Sequence, residues 1–311
     1  MGLNGHPLED AILRTIIYAD IFSFPMTVRE IHHFLIHDVS VHFEQVQEKL
    51  AESPRLQKEL IQQSGYFALA ERREIITLRL QREAYSENLW THGVYYGKWL
   101  ARLPFVRMVA LTGALAMRNA LTDDDDLDYL IIAQPGRVWL ARVFTIALVK
   151  LAAKRGVVIC PNYVLAADNL EQNRKDLYIA HEIVQMVPLY GSHIYRLILQ
   201  ANEWVAQYMP NAHHPFYAEH EYKQHKFWAF IKNIAERLLT GPHGDWIEQW
   251  ERRRKLHRFA SNMQTPHSSA QLDETQVKGH FDDHGHPVLS KYYQRLHEYG
   301  LDYVREAATG N

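Results

Sequence analysis

Apolar residues recur at helical spacing from Ala11 to Phe22, where Ile12, Leu13, Ile16, Ile17 and Ile21 mark one buried face. Phe24-Pro25 breaks the run. Thr27, with Glu30 three residues on, has the spacing of a capping box and predicts a second helix over Val28–Ile36. A third helix fits Val41–Ser53, with Val46 and Leu50 inward. The extended runs Glu59–Ile61 and Tyr66–Leu69 then flank Gln63-Ser64-Gly65, which predicts a small hairpin. Three helices and a hairpin follow the order of a winged helix, an architecture that serves DNA binding, protein interaction or dimerisation. A helical stretch from Glu71 to Leu103, stopped by Pro104, leads to the next unit.

The middle of the chain alternates between the two periods. Val106–Leu111 reads as a strand, Ala114–Ala120 as a short helix and Asp128–Ala133 as a buried strand. A long helix over Gly136–Lys154, ended by Gly156, and a strand over Val157–Leu165 follow. Helices are expected over Leu177–Val187 and Ser192–Tyr208. Beyond them, helical pattern recurs over His225–Leu239, Asp245–Ser261 and Val288–Tyr299, with a polar loop over Gln264–Thr275. The expected fold is α+β: a small mixed sheet within residues 86–210, a winged-helix-like module within 1–85 and a helical region within 211–311.

Composition narrows the partners. A net charge of -2 provides no global basic field, so any nucleic-acid contact must come from a local patch. The third helix carries Glu44, Glu48 and Glu52 against Lys49, a poor complement to a major groove, so DNA binding is not the favoured reading. The N-terminal residues lack the pattern of a signal peptide, and the apolar stretch Val138–Ala153 is too short to span a bilayer. A single cysteine, Cys160, excludes an intrachain disulfide, and a cytoplasmic protein without membrane partners is expected.

The candidate chemistry lies between Leu111 and Ile132. Asp126 and Asp128 are two residues apart at a strand start, so their carboxylates share a face, with Cα atoms roughly 6–7 Å apart. Such a pair can share magnesium and leave positions open for water and phosphate. Thr112-Gly113 falls between strand and helix, where backbone can approach a phosphate closely. Asp123, Asp124 and Asp125 read as a solvated loop.

This order resembles the DNA polymerase beta-like nucleotidyltransferase superfamily, whose signature is an apolar strand, Gly-Ser, a short helix with a further Gly, and Asp-x-Asp entering the next strand. Gly113, Asp126 and Asp128 match it. The wider run, with Gly136-Arg137, Cys160-Pro161-Asn162-Tyr163 and His181-Glu182, is similar to a bacterial subfamily of uncharacterised predicted nucleotidyltransferases. The resemblance covers roughly Val106 to Gly191. It implies transfer of a nucleoside monophosphate from a nucleoside triphosphate to an acceptor hydroxyl, with Asp126 and Asp128 as catalytic residues holding one or two Mg²⁺ ions. Thr112, Gly113 and Ala114 would then face the phosphates, and Arg118 would supply a phosphate contact.

Three positions depart from the signature. Ala114 replaces its serine, Arg118 its second glycine, and no acid lies on the Val157–Leu165 strand, where Asn162 is the nearest polar residue. Glu182 is the candidate carboxylate to complete the pair. These departures sustain an alternative: a catalytically degenerate protein that binds nucleotide or a partner and acts through its N-terminal module.

Other groups read as structural. Gln185 stands where a zinc-protease helix starting at His181-Glu182 would need its second histidine. His280, Asp282, Asp283, His284 and His286 read as a solvated turn, and the pairs His32-His33 and His213-His214 carry no ligand spacing. The basic run Arg252, Arg253, Arg254, Lys255, His257 and Arg258 spreads around a helix. Cys160 and the tryptophans Trp228, Trp246 and Trp250 read as packing.

Overall fold

Helix α1 (Pro7–Asp20) buries Ile12, Leu13, Ile16 and Ile17, the face its periodicity marks. The computed structural model describes residues 7–263, 272–278 and 285–301. A two-residue strand β1 (Met26–Thr27) leads into α2 (Val28–His33). The capping box forms: the Glu30 N–H donates to Thr27 Oγ1 at 3.3 Å, and Glu30 Oε2 accepts from the Thr27 N–H at 2.7 Å. Helix α3 (Phe43–Glu52) is followed by a short α4 (Pro54–Glu59) that the apolar pattern is too brief to mark. Ser53 caps it, with Pro54 at its first position. Strands β2 (Leu60–Gln63) and β3 (Tyr66–Leu69) form the hairpin, and β1 pairs antiparallel with β3.

Helix α5 (Glu74–Ala101) then runs to the second sheet. Its elements are β4 (Val106–Leu111), α6 (Gly113–Ala116), β5 (Leu127–Ala133), α7 (Val138–Ala153), β6 (Ile159–Ala166), α8 (Leu177–Val184), β7 (Val187–Tyr190) and α9 (Ser192–Ala201). Helices α10 (Lys226–Leu238) and α11 (Pro242–Met263), strand β8 (Gln276–Lys278) and helix α12 (Gly285–Glu298) complete it. The strand order is β7-β4-β5-β6-β8, parallel between β5 and β6 and antiparallel elsewhere. The protein is therefore α+β with a mixed central sheet.

The differences from expectation have local causes. The helix expected to reach Val187 stops at Val184, because Val187–Tyr190 pairs with β4 as an edge strand. The helix expected to reach Tyr208 stops at Ala201, where the Asn202 amide donates to the Leu170 and Ile198 carbonyls. Helix α6 ends at Ala116 rather than Ala120, as Arg118 takes the left-handed conformation at φ 55°. The C-terminal segment is not purely helical, since β8 extends the sheet. Of the polar loop over Gln264–Thr275, residues 264–271 lie outside the described residues.

Strand β5 is buried on both faces. Leu127, Tyr129 and Ile131 enter one core with α5 and α7; Leu130 and Ile132 enter a second core with α1, α8 and α12. The second core includes Ile12 and Ile16 from the N-terminal segment and Tyr292 and Leu296 from the C-terminal one, so all three sequence segments pack together. Each such side chain, fully buried, contributes about 1.5–3 kcal/mol.

An ion pair sits inside this assembly. Arg79 on α5 is fully buried and donates to Glu30 at 2.9 Å, to the Tyr217 hydroxyl at 3.0 Å and to the Met117 carbonyl at 3.2 Å. Its guanidinium also lies 3.8 Å from the centre of the Phe24 ring. Removing one buried partner leaves the other charge uncompensated. Arg79→Met should therefore lower the unfolding free energy by about 3–5 kcal/mol in urea titration. Adding Glu30→Gln, which keeps the cap on Thr27, should restore part of it. A loss below about 1 kcal/mol in the single variant, the level of an exposed pair, would disprove this role.

Candidate functional site

The site begins where β4 ends. Leu111 pairs with Tyr129, and the Thr112 N–H donates to the Asp128 carbonyl at 3.1 Å. Thr112 thus stands opposite Asp128, and opposed residues of an antiparallel pair share a face. Its hydroxyl is buried without a hydrogen-bond partner. Gly113 follows at φ 64°, and a Cβ there would lie 2.3 Å from Asp128 Oδ2. Glycine is required both by the conformation and by the carboxylate against it. Helix α6 has only four residues, so the loop offers close backbone rather than a long helix dipole.

Across the sheet, Asp128 pairs in parallel register with Cys160 on β6. Asp126, Asp128 and Cys160 bring one ligand atom each within 4.8 Å of one another. Asn162 Nδ2 donates to Asp128 Oδ1 at 2.7 Å, and the Cys160 thiol donates to Asn162 Oδ1 at 2.8 Å. Burial, reinforced by the Asp126 charge, pushes Asp128 up to about 7, against the Asn162 bond that favours its ionised form. Burial and then the two carboxylates push the Cys160 thiol up to about 12. Cys160 is therefore not the core residue its apolar strand suggests: it is half-buried and belongs to the cluster. Asp123 and Asp124 are exposed, as a solvated loop requires, while Asp125 closes the turn by accepting from the Leu121 N–H at 2.8 Å.

Helix α8 faces this cluster. The Glu182 charge raises the pKa of Asp128, which places it within electrostatic reach of the pair. Glu182 Oε1 accepts from Gln185 Nε2 at 2.6 Å. Burial pushes Glu182 up to about 7, opposed by Lys278. Lys278 on β8 pairs with Tyr163, and its Nζ lies 5.9 Å from the centre of that ring. Nothing in the sequence marks Lys278, because only the pairing of β8 with β6 brings it to this side.

Arg118 is not brought to the pair. Its guanidinium stacks 3.6 Å from the centre of the Trp90 ring, and its acidic neighbours are Glu87, Glu219 and Glu83. The phosphate contact expected of it gives way to an aromatic one. Its positive φ accounts for the glycine of the signature, at a cost of about 1–2 kcal/mol for a residue with a Cβ.

Ala114 lines a largely apolar cavity of about 230 Å³ between the N-terminal segment and α8, shared with Gly113, Met117, His181 and Glu182. His181 stacks on Tyr18 with ring centres 3.9 Å apart, and its Nδ1–H donates to the Leu177 carbonyl at 2.9 Å. Elsewhere, Arg252 and Arg254 of the basic run pair with Glu274 and Glu251. Trp228 packs on Trp99, but Trp246 and Trp250 are 67% and 50% exposed, so these two do not read as packing after all. His280, Asp282, Asp283 and His284 lie outside the described residues, and His286 is exposed on α12.

Comparison with family models, curated proteins and solved structures gave no match. Fold and site by themselves define an α+β protein with a carboxylate–thiol cluster at a strand start, a glycine loop against it and an apolar cavity alongside. Among the described residues, no helix is long and apolar enough to cross a membrane.

Burial depresses His181 from 6.5 to about 4 and His33 to about 3. Below 6.5 the unfolded chain takes protons the folded one refuses, so this stability, full above 6.5, is lost as pH falls toward 4. His181→Phe keeps a flat ring against Tyr18 and removes one of these protons. The drop in Tm between pH 7.5 and pH 5 should be smaller in this variant; an equal drop would exclude His181 as a contributor.

Proposed function

We propose that the chain is a magnesium-dependent nucleotidyltransferase that moves a nucleoside monophosphate from a nucleoside triphosphate to an acceptor hydroxyl. The observation that carries this reading is the close fit of Gly113 against Asp128, with Asp126 alongside: a Cβ at residue 113 would collide with the carboxylate. That is the arrangement expected where a loop must bring phosphate to a pair of acids. It supports the resemblance to the DNA polymerase beta-like superfamily.

Asp126 and Asp128 would hold Mg²⁺, an ion that prefers carboxylate oxygens. When bound, the ion neutralises charge on the triphosphate. Thr112 supplies an unspent hydroxyl near the phosphates, and Gly113 and Ala114 supply close backbone. Lys278 takes the role of the positive charge that Arg118 does not bring. Asn162 orients Asp128 through its amide. Glu182 is the base for the acceptor, since β6 offers a protonated thiol where the third carboxylate is expected.

We read the N-terminal helices and hairpin as a winged-helix-like module, a reading supported by their order and by the pairing of β1 with β3. Glu44, Glu48 and Glu52 are exposed along α3, which opposes insertion into DNA and favours a packing role. The thiol at residue 160 and the methyl at residue 114 favour the second reading, a nucleotide-binding protein without fast turnover.

Calorimetric titration with each nucleoside triphosphate and Mg²⁺, followed by assay of pyrophosphate release, separates the two. Asp126→Asn/Asp128→Asn should abolish Mg²⁺-dependent binding, and Gly113→Ala should weaken it at least tenfold, a change of about 1.4 kcal/mol. Binding without pyrophosphate release, across a range of hydroxyl acceptors, would move the assignment to the second reading. Unchanged binding in the double variant would remove the site altogether.

A further inference from the structure

The cavity beside the loop carries information about the acceptor. Phe22, Phe24, Met26 and Phe34 form its N-terminal wall, and Ala114 and Met117 its loop wall. Most of its remaining lining is ring and methyl, and several of its polar neighbours are already engaged. The Thr15 hydroxyl donates to the Ala11 carbonyl at 2.8 Å and accepts from the Ile36 N–H at 2.9 Å. The Asn119 amide donates to the Phe22 carbonyl at 3.3 Å and accepts from Arg82 at 3.2 Å. The Gln185 amide nitrogen donates to Glu182. A ligand here meets apolar wall, the aromatic rings of Tyr18, Tyr178 and His181, and the Glu182 carboxyl.

That lining discriminates between ligand classes. A nucleobase or a polycationic aminosugar would leave several donors and acceptors unpaired on entry, at a cost of about 1–3 kcal/mol each. An aromatic ring loses nothing. We infer that this cavity binds the acceptor, and that the acceptor is a small phenol or aromatic alcohol whose ring lies against Phe22, Phe24 and Met26 and whose hydroxyl meets Glu182. The methyl of Ala114 then belongs to the apolar wall, which gives the departure from serine a purpose.

The binding stands on the cavity alone; the reaction rests on the transferase reading above. In that reaction the acceptor oxygen forms its bond to the α-phosphorus while its proton passes to the Glu182 carboxylate. The bond from the α-phosphorus to the bridging oxygen breaks, and pyrophosphate leaves with the electron pair.

The test is calorimetry of the full chain with 2-phenylethanol and with p-cresol, alone and with saturating Mg²⁺ and an α,β-methylene ATP analogue. Saturable binding is expected, undiminished by the analogue. Phe22→Ser, at a position 40% exposed and tolerant of change, should weaken it about tenfold through loss of the ring contact. Ala19→Phe, which fills the cavity, should abolish it. Absence of saturable binding, or binding indifferent to Phe22→Ser, overturns the inference. Competition with the analogue overturns it too, by assigning the cavity to the nucleoside. If the probes bind and the analogue does not, the ligand class of the cavity holds and the transferase reading is what fails.

Discussion

The buried guanidinium of Arg79 ties together four parts of the chain that are distant in sequence. It reaches Glu30 on α2, Glu83 within α5, the Met117 carbonyl just past the glycine loop and the Tyr217 hydroxyl. Tyr217 in turn donates to Glu30 at 2.8 Å, so the acid is satisfied from several sides. A charge this deep is tolerable only when every partner is in place, and each partner is thereby fixed in position. Phe24, stacked under the guanidinium, is also a wall of the cavity. The N-terminal segment is held against the loop by the same contacts that shape the space beside it.

From that anchor the site follows in layers. Strand β5 carries both cores, one on each face, and its first residues emerge where the N-terminal segment, the glycine loop and α8 converge. Asp128 is consequently half-buried among partners that come from β4, β6 and α8. Desolvation and the neighbouring Asp126 raise its pKa, a tension that a bound divalent cation would relieve. The groups around it differ in origin: Thr112 from the turn after β4, Cys160 and Asn162 from β6 and Glu182 from α8, with Lys278 of β8 acting on Glu182.

The sequence exposed much of this and hid the rest for identifiable reasons. Strands β4 and β5 and most helices were legible, because each buries a face whose period is written in consecutive residues. The capping box of Thr27 and Glu30 was legible for the same reason, being local. Strands β1, β7 and β8 were not, at two to four residues each, because their pairing partners lie far away in the chain. Asp126 and Asp128 could be singled out by their spacing, and Gly113 by its place between strand and helix and by the resemblance it carries. Cys160 looked like core, because its strand is apolar and only the register with β5 turns it toward Asp128. Arg118 looked like a phosphate ligand, because sequence records its charge and not the Trp90 ring that captures it.

What the sequence determined by itself is therefore the set of elements and one short constellation, both fixed by local backbone geometry and by the periods of helix and strand. Which side chains actually meet that constellation was decided by tertiary structure, although Asn162 and Glu182 were already candidates in the sequence. Strand register chose Cys160 and Asn162, the docking of α8 chose Glu182, the edge pairing of β8 chose Lys278, and the buried Arg79 network set the cavity against them. Register and docking depend on long-range packing across both cores, and no run of consecutive residues encodes them.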